Sequence, residues 1–177
     1  MEADDRSCGI RANKPGHSVT AGMRVDATGT PETNSDGERC IAAATVTLHG
    51  TGSIGPLAMN NGAIGGGAFG LQDGIWGLQS FRDGNGNWQW AWMPVSGLNN
   101  IGLLIRTWGR VTYVDQHTFT IDDGSGQHVK CVTPSDVTVD PAWTYIGVIG
   151  VSSCEKIGEE LHRLIRIRKQ EDIASYQ

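Results

Sequence analysis

Three tryptophans stand at alternate positions in the middle of the chain, where they could stack against a flat ligand. Trp88, Trp90 and Trp92 lie in the segment WQWAWMP. If this segment is a strand, alternate side chains point to one face, so the three rings form a row. Such a row suits sugar rings or nucleobases, and each stacked base contributes about 1 to 3 kcal/mol. Trp76, in the preceding apolar run, is a further candidate ligand-binding residue.

Two predicted strands position this row. Residues 75 to 81 and 88 to 93 are joined by RDGNGN, whose residues tolerate positive φ, so we predict a β-hairpin. The surrounding segment, residues 49 to 100, holds about half of the Gly and most of the Trp of the chain. It is too long and too aromatic for a flexible linker, so we expect it to fold.

The chain contains two copies of one small β unit. Residues 22 to 47 align without a gap on residues 143 to 168, and Gly29 falls on Gly150. An acidic turn lies upstream of each copy. The second copy has a long apolar strand before this turn, whereas the first has only residues 1 to 3 there. We therefore expect the first unit to lack its opening strand.

The second copy has the pattern of a small closed barrel. Its first segment alternates and contains Gly109, at which a strand shared between two sides of a closed sheet can bend. A DDGSG turn supplies the positive φ that a tight hairpin needs. The predicted strands span residues 101 to 114, 117 to 121, 127 to 132, 143 to 149 and 162 to 168.

This copy resembles an OB-fold barrel of the kind found in tandem at the ends of large, mostly uncharacterised secreted bacterial proteins. The resemblance rests on LLIRTWGRVTYVDQHTFTIDDGSGQHVKCVTP and YIGVIGVSSCEKIGEELHRLIRIRKQEDI, and through the repeat it extends to residues 2 to 48. It implies an all-β chain with two OB-like barrels in tandem and an extracellular or cell-surface location. The implied divisions are an incomplete barrel (1–48), a Gly/Trp-rich insert with the β-hairpin (49–100) and a complete barrel (101–177).

The resemblance also implies a ligand-binding face on the second barrel. OB folds commonly bind ligands across their second and third strands and the flanking loops. The candidate contacts on this face are Tyr113, His117, Phe119, His128 and Lys130. The alternative is that Phe119 points into the core and the two histidines decorate an exposed surface.

An incomplete first barrel exposes unpaired strand edges, which invite pairing with another segment. An upstream part of a larger protein, a neighbouring chain by strand exchange, or the insert could fill the gap. The Trp row would then be the missing wall of the first barrel. Because Trp buries a large apolar area, three rings in water would be unusual, which favours this structural interpretation over the stacking one.

Composition disfavours several classes of partner. The net charge of −5 and pI near 5.4 argue against a protein that binds nucleic acid mainly by phosphate neutralisation. The basic run of Arg163, Arg166, Arg168 and Lys169 is an exception, although such a run is more often a solvated strand face. No window of about 18 apolar residues predicts a membrane span.

Metal and catalytic motifs are not evident. Cys8, Cys40, Cys131 and Cys154 lack CxxC spacing, which disfavours zinc, and both free thiols and disulfides remain open. The Asp83 turn lacks the bidentate Glu of a calcium loop. No pair of carboxylates, nucleophile with a base, or metal cage stands out, so we expect no metal or other cofactor.

These observations favour a non-catalytic tandem OB-fold module that binds an extended polymer or another protein domain. Carbohydrate is preferred to nucleic acid on charge alone. One alternative is a small hydrolase of esters or glycosides, with a site between insert and second barrel where Trp76, Asp83 and His117 converge. Another is a structural subunit that forms homo-oligomers by β-strand donation. The residues alone leave open whether the protein is an enzyme.

Overall fold

The computed structural model describes residues 1–176, which form twelve β-strands and two short 3-10 turns. The strands are β1 (Arg11–Ala12), β2 (Met23–Thr33), β3 (Arg39–Thr51), β4 (Leu57–Ala58), β5 (Trp76–Arg82), β6 (Trp88–Pro94), β7 (Leu104–Asp115), β8 (Thr118–Asp122), β9 (His128–Val132), β10 (Tyr145–Ile157), β11 (Glu160–Ile167) and β12 (Ile173–Tyr176). The 3-10 turns span Asn61–Ala63 and Gln170–Asp172. The prediction of an all-β chain is confirmed. Within this described part, no helix has the length and apolar character to cross a membrane.

Five strands of the second half close into a barrel. β7 pairs antiparallel with β8, and β8 pairs antiparallel with β9. β9 runs parallel to β11, and β11 pairs antiparallel with β10, which returns to β7. Alternation along each strand turns apolar side chains inward. The buried core includes Ile105, Phe119, Ile121, Val129, Cys131, Ile146, Val148 and Ile165.

The first barrel strand, β7, pairs with two other strands of the barrel, as its length and its glycine predict. Residues 104 to 110 of β7 pair with β10, and residues 110 to 115 pair with β8. Gly109 lies at the changeover, where a Cβ would stand 2.7 Å from the Asp122 carbonyl oxygen. A side chain at this position would force the strands apart. The glycine therefore allows the sheet to close.

The first copy forms a separate sheet of three strands in the order β1-β3-β2. β2 and β3, which align in sequence with β10 and β11, make a long antiparallel hairpin, and two residues of β1 pair parallel with β3. A register shift between Thr28 and Thr30 marks a bulge. On β3 the bulge holds Ala43 at a φ of 48°, a left-handed conformation that costs a non-glycine residue about 1 to 2 kcal/mol.

The tip of this hairpin fixes the three-stranded sheet to the barrel. Glu38, which is only 2% exposed, accepts a hydrogen bond of 2.9 Å from the Ser153 hydroxyl and pairs with Arg11 at 3.1 Å. Asp36 pairs with Arg166 at 2.8 Å. A buried carboxylate requires such partners, so the tip is held by polar contacts to β10 and β11.

Candidate functional site

The Trp row lies on the hairpin of β5 and β6. The register places Trp88 opposite Arg82, Trp90 opposite Ser80 and Trp92 opposite Leu78. Directly opposed side chains of antiparallel strands share a face of the sheet. We call this set the Trp face, and it consists of Leu78, Ser80, Arg82, Trp88, Trp90 and Trp92.

The three rings are exposed to solvent. The exposed fractions are 63% for Trp88, 66% for Trp90 and 45% for Trp92. Among the described residues, β5 and β6 pair only with each other and not with β2 or β3. The interpretation of the Trp row as the missing wall of the first unit is therefore wrong. An apolar area of this size on a protein surface commonly marks a binding site.

Hydrogen bonds to one carboxylate shape the turn of the hairpin. The Asp83 carboxylate accepts hydrogen bonds of 2.9 Å from the backbone N–H groups of Asn85 and Asn87. Hydrogen bonding, led by the Asn87 amide, lowers the pKa of Asp83. Gly86 supplies the positive φ of 83°. Within residues 1–176, no group of three or more His, Cys, Asp and Glu side chains is arranged to hold a metal ion.

The base of the hairpin is anchored in a small second core. The backbone N–H of Val95 donates to the carbonyl of Ile75 at 2.8 Å, which closes the ladder at the barrel end. Burial of apolar side chains at this end keeps the hairpin from swinging freely. The buried cluster comprises Ile75, Val95, Ile101, Cys154 and Leu161.

A buried arginine connects the hairpin, the preceding loop and the barrel. Arg163 is 5% exposed, and its Nε donates to the Ile64 carbonyl at 3.1 Å. Its two terminal nitrogens donate to the carbonyls of Trp76 and Gly62, both at 3.2 Å, and to the Gln127 side-chain oxygen at 3.0 Å. Burial lowers the pKa of Arg163. This side chain is structural and does not belong to a solvated basic face.

Polar groups adjoin both ends of the Trp row. The Trp92 indole N–H donates to the Glu160 carboxylate at 2.7 Å, and its ring centroid lies 5.6 Å from that of His162. At the other end, the Arg82 guanidinium lies 4.9 Å from the Trp88 ring centroid, a cation–π distance. The contacts restrict these two rings, and the neighbouring carboxylate, imidazole and guanidinium can bond to ligand hydroxyls.

No protein-family model, curated protein or solved structure matches this chain. The chemistry of the surfaces themselves is therefore the guide to function.

The candidate contacts on the second barrel do not form one surface. Phe119 is fully buried and stands edge-on to Trp143 with centroids 6.3 Å apart. It is a core residue, so its assignment as a ligand contact is wrong. The His117 ring is engaged with Thr133 at 3.3 Å and with the Val137 carbonyl at 3.2 Å. Both contacts are made by Nδ1 and hold the loop after β9, so the half-buried imidazole has only Nε2 left for a ligand.

The other three candidates are accessible but separated. His128 and Lys130 share one face of β9, and Lys130 pairs with Glu155 at 2.7 Å. Tyr113, 42% exposed, lies near the far end of β7. Two polar residues and a distant ring make a weaker site than three adjacent indoles. The structure thus divides the nine sequence candidates: the Trp row stays together on the hairpin with half-buried Trp76 on the same face, and on the barrel only His128 and Lys130 are neighbours.

The residues proposed for a hydrolytic site do not converge. Trp76 begins β5 and Asp83 follows its last residue, so about 23 Å of strand separates them. His117 lies in the turn between β7 and β8 and is bonded within the barrel. A general base must lie within hydrogen-bond reach of its partner, and this set does not meet that requirement.

The four cysteines are free thiols in the described structure. Cys40, Cys131 and Cys154 are buried, and Cys8 is exposed. Burial raises the pKa of Cys154 to about 12 and raises that of Cys131 further. Thiols with raised pKa values are poor nucleophiles.

Sequence reasoning missed three residues of the site. Arg82 could have been found by pairing the predicted strands symmetrically about the turn, which sets it opposite Trp88. Glu160 and His162 lie far along the chain from Trp92 and belong to a different sheet. No local signal in the sequence predicts that contact.

Proposed function

We propose that the protein is a non-catalytic binding module that holds an extended carbohydrate polymer on the Trp face. The main support for this proposal is the row of three exposed indoles at alternate positions of β6. Four residue steps of strand separate the outer two, which corresponds to about 13 Å. A row of this length exceeds one sugar ring, so it supports an extended ligand.

The charge distribution supports carbohydrate over nucleic acid. The net charge is −5, and the three arginines in and just after β11 are engaged within the protein. Arg166 pairs with Asp36, Arg168 makes two hydrogen bonds to Asp172, and Arg163 is buried. A backbone-tracking site for a single strand needs a positively charged groove, and the Trp face offers one arginine and a neighbouring Glu160.

We further propose that residues 101–173 form an OB fold, in keeping with the family resemblance of their sequence. The strand order β7-β8-β9-β11-β10 with return to β7, and the parallel pair β9 and β11, support this proposal. Gln127, in the loop between β8 and β9, donates to the Leu78 carbonyl at 3.4 Å. The Trp face would then extend the second barrel at this loop. The same resemblance is the basis for proposing a location outside the cell or at its surface.

Affinity electrophoresis through gels containing soluble neutral polysaccharides tests the proposed function. We expect retardation by at least one β-linked or α-linked glucan, mannan or xylan. Trp90→Ala should weaken that binding roughly 5- to 150-fold, taking the contribution of one stacked base, about 1 to 3 kcal/mol, as the scale for a stacked sugar. Trp108→Ala is the matched control, since Trp108 is 58% exposed on β7, outside the Trp face.

Two results would contradict the proposal. One is unchanged mobility of the wild-type protein in every neutral polysaccharide. The other is binding to a single-stranded oligonucleotide that weakens steeply with added salt, which would indicate phosphate contacts instead.

A further inference from the structure

The outer edge of β2 is open. In the part of the chain that the structure describes, β2 pairs with β3 and with no other strand. All of its residues are exposed except Val25 and Ala27, which are half-buried. An edge of this length presents unpaired N–H and C=O groups that can template a further strand.

The hydrogen bonds of β3 identify which β2 residues face this edge. Asn13 N–H donates to the Ile41 carbonyl, and Ala44 N–H donates to the Asn13 carbonyl, so Ile41 and Ala44 point away from β2. Backbone groups alternate along a strand, so Val46 also points away. Its partner Ala27 therefore directs its N–H and C=O to the open edge.

The same alternation of backbone groups locates both ends of the open stretch of β2. Val25, two residues before Ala27, also presents its backbone groups outward. Pro31 stands opposite Ile41 and has no N–H to offer at the edge. Proline at an edge strand is a common protection against unwanted pairing. The available stretch of β2 thus precedes Pro31.

The second barrel shows which kind of strand would pair with the open edge of β2. There, residues 104 to 110 of β7 pair antiparallel with residues 145 to 151 of β10. The sequence alignment of the two copies maps that stretch of β10 onto residues 24 to 30 of β2. In the first copy, residues 24 to 30 of β2 correspond to the stretch of β10 that β7 covers. Their outer edge is therefore free.

A groove lies between the face of the three-stranded sheet and the barrel, and it reaches the open edge at Val25. Two adjoining cavities of about 340 and about 610 Å³ share Val19, Val25 and Val151 in their walls. Val46 adds to the apolar wall on the side of the sheet. An extended segment on β2 would place alternate side chains over this wall, because they project to the face that Val25 occupies.

We propose that this groove receives an extended strand of another polypeptide, antiparallel to β2 and with apolar side chains at alternate positions. Backbone hydrogen bonds to Val25 and Ala27 would supply affinity. The apolar wall would favour segments that have apolar side chains at alternate positions. A β7 strand from a second copy is disfavoured as the donor, since β7 is paired along both edges within its own barrel.

A labelled peptide with the sequence of residues 103 to 115 is the probe, because it is this protein's own strand for the equivalent edge. We expect its fluorescence anisotropy to rise saturably with protein. Hydrogen exchange of the outward-facing amides of Val25 and Ala27 should slow at least tenfold in the complex. A peptide of the same composition without the alternation should bind at least tenfold more weakly.

Variants locate the binding to the edge. Ala27→Pro removes one outward N–H and Val25→Asp places a charge in the groove, and each should weaken peptide binding at least tenfold. Asp26→Asn, at the intervening position, should change it less than twofold. Thermal unfolding midpoints within a few degrees of the wild type establish that each variant is folded.

Three outcomes would overturn the proposal. They are failure of the β7 peptide to bind, unchanged binding by both folded edge variants, and a dimer by light scattering whose β2 edge is protected without peptide. The last would make a second copy the occupant. Trp90→Ala should leave peptide binding unchanged, so this test stands apart from the carbohydrate proposal.

Discussion

Replacement of Arg163 by Met should destabilise the protein and loosen the hairpin that carries the Trp face. The substitution keeps an unbranched apolar side chain but removes the guanidinium, which makes four hydrogen bonds. Three carbonyls and one amide oxygen would lose their donor. A buried acceptor left unsatisfied costs about 1 to 3 kcal/mol.

The net loss of unfolding free energy in Arg163→Met should be smaller than the sum of the costs of the four unsatisfied acceptors. Burial already lowers the pKa of Arg163, so the folded state bears a desolvation penalty that the variant would relieve. Water can also reach the acceptors at Gly62, Trp76 and Gln127, whose bonds are only partly buried. We expect a loss of about 3 to 5 kcal/mol, which lies below the sum for four acceptors at about 1 to 3 kcal/mol each. For a chain of this size, that corresponds to a fall in Tm of roughly 10 °C.

Urea unfolding followed by circular dichroism measures the loss, and acrylamide quenching of Trp fluorescence reports on the hairpin. Arg166→Met is the matched control on the same strand. Its ion pair with Asp36 is about one-third exposed on each side and contributes at most about 1 kcal/mol. Its Nε also donates to the Ser153 hydroxyl at 3.1 Å, a part-buried hydrogen bond worth about 1 kcal/mol. An unfolding free energy of Arg163→Met within about 1 kcal/mol of the wild type, or equal losses in the two variants, would show that the Arg163 hydrogen bonds do not stabilise the fold.

Three further predictions concern the thiols and the bulge. In native protein at neutral pH, a thiol reagent should modify Cys8 rapidly and the three buried cysteines only on unfolding, with mass spectrometry locating the label; fast modification of Cys154 would contradict its burial. Because the pKa of Cys154 is raised from 9.0 to about 12, the unfolded chain ionises first, and the unfolding free energy should fall as pH rises from 9 to 12, less steeply in Cys154→Ala. Ala43→Gly should raise the unfolding free energy by about 0.5 to 1 kcal/mol, since glycine relieves the left-handed strain but costs more backbone entropy, and a lower urea midpoint would refute this.

Local patterns were sufficient to predict the barrel strands. The alternation of residues 101 to 114, the DDGSG turn and Gly109 together predicted β7, β8 and β9 close to their observed bounds. β10 extends well beyond residue 149, because it pairs with β11, β7 and β12 along different parts of its length. Such pairing depends on neighbours distant in sequence, which a local pattern does not specify.

Burial was harder to predict than secondary structure. The hairpin and the shared face of Trp88, Trp90 and Trp92 followed from the period of two, but their exposure did not. Whether a large ring is buried depends on the sheet that stands opposite, and none of the described strands covers this one. Arg163 is the opposite case, because it lies in a basic run yet is buried among oxygens of the loop before β5, of β5 itself and of Gln127.

The most direct test of the account follows the six indole N–H signals by NMR during titration with a neutral polysaccharide that retards the protein. We predict that the signals of Trp88, Trp90 and Trp92 shift together with a single Kd, whereas those of Trp108 and Trp143 stay within error. Shifts confined to Trp108, or changes in the barrel signals with an unchanged Trp row, would contradict the assignment of the Trp face as the binding site.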